Sequence, residues 1–169
     1  MSLRSTARAA ELAAALAGLA VILAGCASTV SLDPAKNAAS TDCASVVVRL
    51  PQTVADLPER ETGAQGTGAW GDPAAVLLRC GVPSPGPTTD PCVSVNGVDW
   101  VEDDSNAPRY RFTTFGRTPA VEVILDYDTV SGSTTLADLA SAVSAIPAKN
   151  QCTDVSDVPE PTSTPTPAG

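Results

Sequence analysis

The sequence predicts an α+β domain: a small, mostly antiparallel sheet of four to five strands with two helices on one face, stapled by disulfides. Three observations carry this. Apolar residues alternate with polar ones through Cys92–Val101 and Tyr110–Tyr127, the period of half-buried strands. Helical spacing appears at both ends of the same region. Four cysteines, Cys43, Cys80, Cys92 and Cys152, bracket and punctuate it.

In chain order, Asp42 is placed to cap a short helix over Cys43–Leu50, which Pro51 helps to end. Ala74–Cys80 is a short apolar run between Asp72-Pro73 and Gly81, the pattern of a central strand. Cys92–Val101 reads as a hairpin on Asn96-Gly97, because both positions of a two-residue turn need positive φ. That turn sets Val95 opposite Val98 and Val93 opposite Trp100, with Ser94 and Asp99 on the other face. Tyr110–Phe115 and Ala120–Tyr127 make a second hairpin, in which Val121, Val123 and Leu125 alternate with Glu122 and Asp126. Thr135-Leu136-Ala137-Asp138 matches a capping box, and Leu136, Leu139, Val143 and Ile146 follow at helical spacing before Pro147. The sheet face away from the helices is then expected to carry Arg111, Thr113, Ser94, Asp99, Glu122 and Asp126.

The ends of the chain read differently. Arg4 and Arg8 precede Leu12–Ala24, which has 13 residues without a charge. That run is too short for a membrane-spanning helix and suits the apolar part of an export signal over 1–25. It ends in Leu23-Ala24-Gly25-Cys26, which resembles the bacterial lipobox. The resemblance implies cleavage before Cys26, a lipid anchor on its sulfur, often a further acyl group such as palmitate on the new N-terminus, and a place on the outer face of the cytoplasmic membrane. An ordinary signal that leaves Cys26 a spare thiol is the simpler alternative. Two or three acyl chains hold a protein durably on a bilayer. Residues 26–41 are small and polar, the composition of a lipidated N-terminus and flexible tether. Residues 42–152 form the globular domain, and 153–169 a tail rich in Pro, Thr and Ser with the composition of disorder.

Outside the cytosol, four further cysteines suggest two disulfides. Three pairings exist; Cys80–Cys92 across a Pro/Gly/Thr-rich loop and Cys43–Cys152 across the domain are favoured. Zinc is the other use of four cysteines, but no CxxC pair and no His occurs. No metal site is expected.

Composition excludes several functions. Without His, Ser-His-Asp and Cys-His arrangements cannot form. No P-loop or G-x-G-x-x-G is present, so no cofactor is expected. Removal of Arg4, Arg8 and Glu11 with the signal takes the formal charge from −9 to −10, which repels nucleic-acid phosphates and anionic lipid surfaces. Glu102-Asp103-Asp104 with Asn106 lacks EF-hand spacing and reads as a solvated acidic loop.

Ala69-Trp70-Gly71-Asp72-Pro73, Arg79-Cys80-Gly81, Val98-Asp99-Trp100 and Phe115-Gly116-Arg117 are the most distinctive local patterns. Together with the lipobox-like ending and the cysteines, they resemble the actinobacterial "domain of unknown function 3515" family of exported lipoproteins. The resemblance implies an exported or membrane-anchored protein of unassigned activity and supplies no functional residues. Candidate ligand or partner contacts are therefore chosen on chemistry: Trp70 with Asp72 as a stacking and hydrogen-bonding lip, and Arg79 and Arg117 as anion or carboxylate contacts. Each has a plainer reading: Trp70 in the core, Asp72 capping a turn, Arg79 in an ion pair with a carboxylate such as Asp99, Arg117 solvated. The leading expectation is a non-enzymatic binding or interaction module for an envelope protein or cell-wall partner. A carboxylate-dependent enzyme acting on cell-wall material would need a cleft joining Trp70, Asp72 and Arg79; a structural spacer is the third reading.

Overall fold

A computed structural model of the chain describes residues 28–152. The expected export signal over 1–25, Cys26 and the expected tail 153–169 lie outside the described residues. The described chain runs α1 (Thr41–Val47), β1 (Thr53–Val54), β2 (Leu57–Arg60), β3 (Thr67–Trp70), β4 (Val76–Val82), β5 (Cys92–Val95), β6 (Val98–Asp103), β7 (Arg109–Thr114), β8 (Ala120–Asp126) and α2 (Gly132–Val143). All strands belong to one sheet, ordered β1-β2-β3-β4-β8-β7-β6-β5, and every neighbouring pair is antiparallel.

The expected sheet of four to five strands is thus corrected to eight. The five strands read from periodicity correspond to β4–β8, and β1–β3 are additional. These three carry weak local signals: β1 has two residues, β2 contains Pro58, and β3 is Thr-Gly-Ala-Trp. Pairing with the strong β4, through Thr67↔Arg79 to Trp70↔Val76, makes β3 a strand.

The β5–β6 hairpin closes on Asn96 and Gly97, with φ of 49° and 77°, and pairs Val95 with Val98 and Val93 with Trp100. Across β7–β8, Tyr110 faces Leu125 and Phe112 faces Val123. One sheet face therefore presents Trp70, Val76, Leu78, Val98, Trp100, Phe112, Val121, Val123 and Leu125, all in one buried cluster with residues of both helices. Both helices bury their apolar stripes there.

Two caps differ from expectation. Ser40, with extended backbone, accepts from the Cys43 amide at 3.1 Å, so α1 starts at Thr41 and stops at Val47 rather than covering Cys43–Leu50. Ser131 caps α2, and Thr135 lies inside the helix with its hydroxyl donating to the Ser131 carbonyl at 2.8 Å. Asp138 is thereby free of capping, and its Oδ2 accepts from the Ala55 amide at 2.8 Å. That bond ties α2 to the β1–β2 turn, where Ala55 and Asp56 have positive φ.

The cysteine pairing is also corrected. Cys43 pairs with Cys80 and Cys92 with Cys152, at Cα separations of 5.5 and 6.4 Å. Cys80 points inward from β4 against α1, while Cys92 lies on edge strand β5, beyond β8, β7 and β6. Four strand spacings are about 19 Å, far beyond the ~7 Å limit for a bridge between Cα atoms. The favoured Cys80–Cys92 and Cys43–Cys152 bonds cannot form in this sheet.

The segment expected as a tether belongs, from Ser28 onward, to the folded body. Val30 bridges Thr62 in parallel, its amide donates to the Glu61 carbonyl at 2.8 Å, and the Asn37 amide donates to the Gly81 carbonyl at 3.1 Å. Gly81 has φ +103°, and a Cβ there would strike the Asn37–Ala38 backbone.

At the rim of the helix-covered face, beside the N-terminus of α2, Tyr127 stacks edge-on against Tyr110, with ring centroids 4.2 Å apart. Burial pushes its hydroxyl pKa above the ordinary 10.0, and the charges of Glu102 and Tyr110 add to this. A raised pKa means that the folded state keeps this proton after the unfolded chain has lost it. Its stabilisation is complete below about pH 10 and is lost as pH rises through the folded value. Tyr127→Phe is therefore expected to flatten the alkaline fall in melting temperature. An unchanged alkaline slope refutes the assignment.

Candidate binding groove

The outer face carries an ion network. β4–β8 register sets Arg79 opposite Glu122, and β7–β8 register sets Thr113 on the other side of Glu122. Glu122 Oε1 accepts from Arg79 Nε at 2.9 Å and lies 2.7 Å from its Nη2. Its Oε2 lies 3.3 Å from Arg111 Nε, and Arg111 reaches Asp103 at 3.5 Å. The Ser105 side chain and amide and, to a smaller degree, Arg111 hold the Asp103 carboxyl below its usual range. The Glu122 side chain is only 8% exposed, so Arg79 keeps a buried carboxylate satisfied. Arg79→Met is expected to cost about 2 kcal/mol, and Arg111→Met less than half of that, because Arg79 makes the shorter contact and brings two nitrogens to Oε1. Urea unfolding midpoints read the difference; equal losses contradict it.

The four candidate contacts are placed as follows. Arg79 pairs with Glu122, not with Asp99, which sits on β6 three strands from β4. Trp70 is fully buried on the inner face, and its indole Nε1 donates to the Pro51 carbonyl at 3.0 Å. Asp72, in the turn after β3, pairs with Arg60 at 2.8 Å. Trp70 and Arg79 thus lie on opposite faces, and no cleft joins Trp70, Asp72 and Arg79. Arg117 is 5% exposed rather than solvated.

Arg117 builds a wall instead. From the β7–β8 loop it donates through Nη1 to the Ile146 carbonyl and through Nη2 to the Gly97 carbonyl. Burial lowers its pKa, and Asp99 opposes that shift. Next to it Gly116 has φ +70°, accepts from the Lys149 amide at 2.8 Å, and leaves no room for a Cβ against the Asn150 carbonyl. The Cys152 amide donates to Asp99 Oδ2 at 2.9 Å, and Cys152 is bonded to Cys92. The strap 147–152 after α2 is therefore held to the sheet at Lys149 and at Cys152.

Facing the strap is the loop 84–90 (Ser-Pro-Gly-Pro-Thr-Thr-Asp), which carries the chain from β4 to the far edge. Between them lies a groove of about 920 Å³. Its lining includes Phe115 and Val101 as the apolar floor, and Thr88, Thr118, Asn150 and Gln151 as neutral hydrogen-bonding groups. Lys149 and Asp90 bring one charge of each sign. The sequence signal for this site was the density of Pro, Gly and Thr in 83–91; the strap residues carried none, since only the fold brings them alongside. Among the described residues, no group of three His, Cys, Asp or Glu side chains could hold a metal ion. No helix among them is long and apolar enough to cross a membrane.

The molecule is a single-sheet α+β domain with a disulfide-fixed groove at one edge of the sheet. The chain belongs to the family described as "Protein of unknown function (DUF3515)", whose model matches residues 8–151. No curated protein and no solved structure matches the chain.

Proposed function

We propose that this is an exported protein, anchored by lipid on Cys26 to the outer face of the cytoplasmic membrane. It binds a neutral, hydrogen-bonding cell-wall fragment, a glycan carrying a short peptide, in the groove between loop 84–90 and strap 147–152, without transforming it. The observation that carries this is the groove itself. Its volume falls in the range of small-ligand sites. One wall is stiffened by prolines and the other is held by a disulfide, which lowers the ordering cost of binding. The hydroxyls and amides of Thr88, Thr118, Asn150 and Gln151 suit carbonyls, amides and sugar hydroxyls, and Phe115 offers an apolar surface beneath them. The anchor is supported by the short apolar run that ends in Leu-Ala-Gly-Cys.

Titration of the isotope-labelled soluble domain with peptidoglycan fragments tests the groove. Saturable amide shifts at Thr118, Asn150 and Gln151, lost in Asn150→Ala, are expected. Shifts spread over the molecule, or none at high concentration, overturn the reading. Fatty-acid labelling tests the anchor, and Cys26→Ser is expected to abolish it.

A further inference from the structure

The fold leaves almost no chain between the anchor and the body. Ser28 is fixed: Arg60 Nη2 donates to its carbonyl at 2.8 Å and to its hydroxyl at 3.1 Å. Arg60 is itself held by the Gly71 carbonyl at 3.0 Å and by Asp72 at 2.8 Å. Two residues further on, Val30 is bonded to the backbone of Glu61 and Gly63. Only Ala27 separates Ser28 from Cys26, so the two Cα atoms are at most about 7.6 Å apart. A free tether over 27–41 would have reached roughly 50 Å.

We propose that the protein rests on the bilayer by the β1–β2 edge of its sheet, with β5 and the groove on the membrane-distal side. The inference rests on the lipid anchor at Cys26 and adds to it a fixed orientation. Arg60 sits at the end of β2, and six strand spacings separate β2 from β5, about 29 Å. The acyl chains draw the β2 edge to the headgroups. The partner of the β1–β2 edge is thus the lipid headgroup layer, held against it by covalent attachment rather than by a basic patch. The groove is then offered outward, toward material beyond the membrane.

The test uses the full lipidated protein in vesicles of phosphatidylcholine and phosphatidylglycerol that contain a headgroup spin-labelled lipid. A fluorescent amino acid is incorporated at Glu59 on β2 or at Ser94 on β5, both exposed. Quenching several-fold stronger at 59 than at 94 is expected. A flexible Gly/Ser insert after Ala27 should bring the two close to equal, and Arg60→Ala should narrow the gap. Mass spectrometry of the same sample reads the lipid on Cys26. Lipid present with equal quenching at both sites overturns the orientation alone. Absence of lipid overturns the anchor on which it rests. A gap that persists unchanged with the insert also refutes the short-leash explanation.

Discussion

Replacing Cys43 and Cys80 together by Ala lowers stability by about 4 kcal/mol in the chain-entropy model for a loop of 37 residues. This is one of the two largest effects expected from a small change. Both sulfurs are fully buried where α1 meets β4, so the loss also removes packing from a short helix with only Cys43 and Val46 buried. A single domain stable by 5–15 kcal/mol loses a large share of that. α1 should detach first, which hydrogen exchange would read as lost protection at Ala44 and Val48 before β4. Denaturant unfolding of the double variant measures the total. A change below about 1 kcal/mol means that the bond adds nothing to what α1 already gains from packing.

Trp70→Ala is the second. The side chain is among the largest that are fully buried, and truncation of such a residue costs about 3–5 kcal/mol. Trp70→Phe separates its two contributions. The phenyl ring retains much of the contact with the core, while the Pro51 carbonyl loses its indole donor, a loss of about 1 kcal/mol. Equal losses in the two variants would assign the whole effect to the hydrogen bond; a loss in Phe near zero would assign it to packing. Neither variant is expected to alter ligand shifts in the groove, because Trp70 and the groove lie at opposite ends of the strand order.

How far the sequence can be read follows from where each signal originates. The β5–β6 register was legible because Asn96-Gly97 admits one tight turn and Val93, Val95, Val98 and Trp100 then share a face. The α2 stripe was legible because Leu136, Leu139, Val143 and Ile146 need no partner to show their period. β3 was not, since its fourth residue is the only large apolar one. Gly68 looks like a strand breaker, yet a Cβ there would meet the Leu50 and Trp70 side chains at 2.8 Å each. What reads locally as weakness is space required by packing.

The site was less legible than the fold. Arg79 was recognised as a charge in an apolar strand, but its partner depended on β8 lying next to β4, and strand order has no local signature. Arg117 looked solvated because a hairpin loop normally is. It is buried because the strap after α2 returns over it, and Pro147–Gln151 gives no hint of that return. Arg60 drew no attention among charged neighbours in Pro58–Glu61, and the two residues it holds together, Ser28 and Asp72, are 44 positions apart in the chain.

The place of β8 between β4 and β7 divides the sheet into two meanders, β1–β4 and β5–β8, joined along a single seam. Each meander owns one disulfide: Cys43 and Cys80 precede the connecting loop, and Cys92 and Cys152 follow it. Neither bond crosses the seam. Under the export proposed above, with the N-terminus leading, every cysteine of the domain would therefore meet its native partner as the next one to emerge or the last one to have done so. Oxidation in order of arrival yields the native pairs without reshuffling. The nested alternative, Cys80 with Cys92 inside Cys43 with Cys152, would have left the first thiol waiting for the whole domain. The open edge of β4, meanwhile, stays uncovered until Ala120–Asp126 arrives, so closing the seam is the late, long-range step of folding.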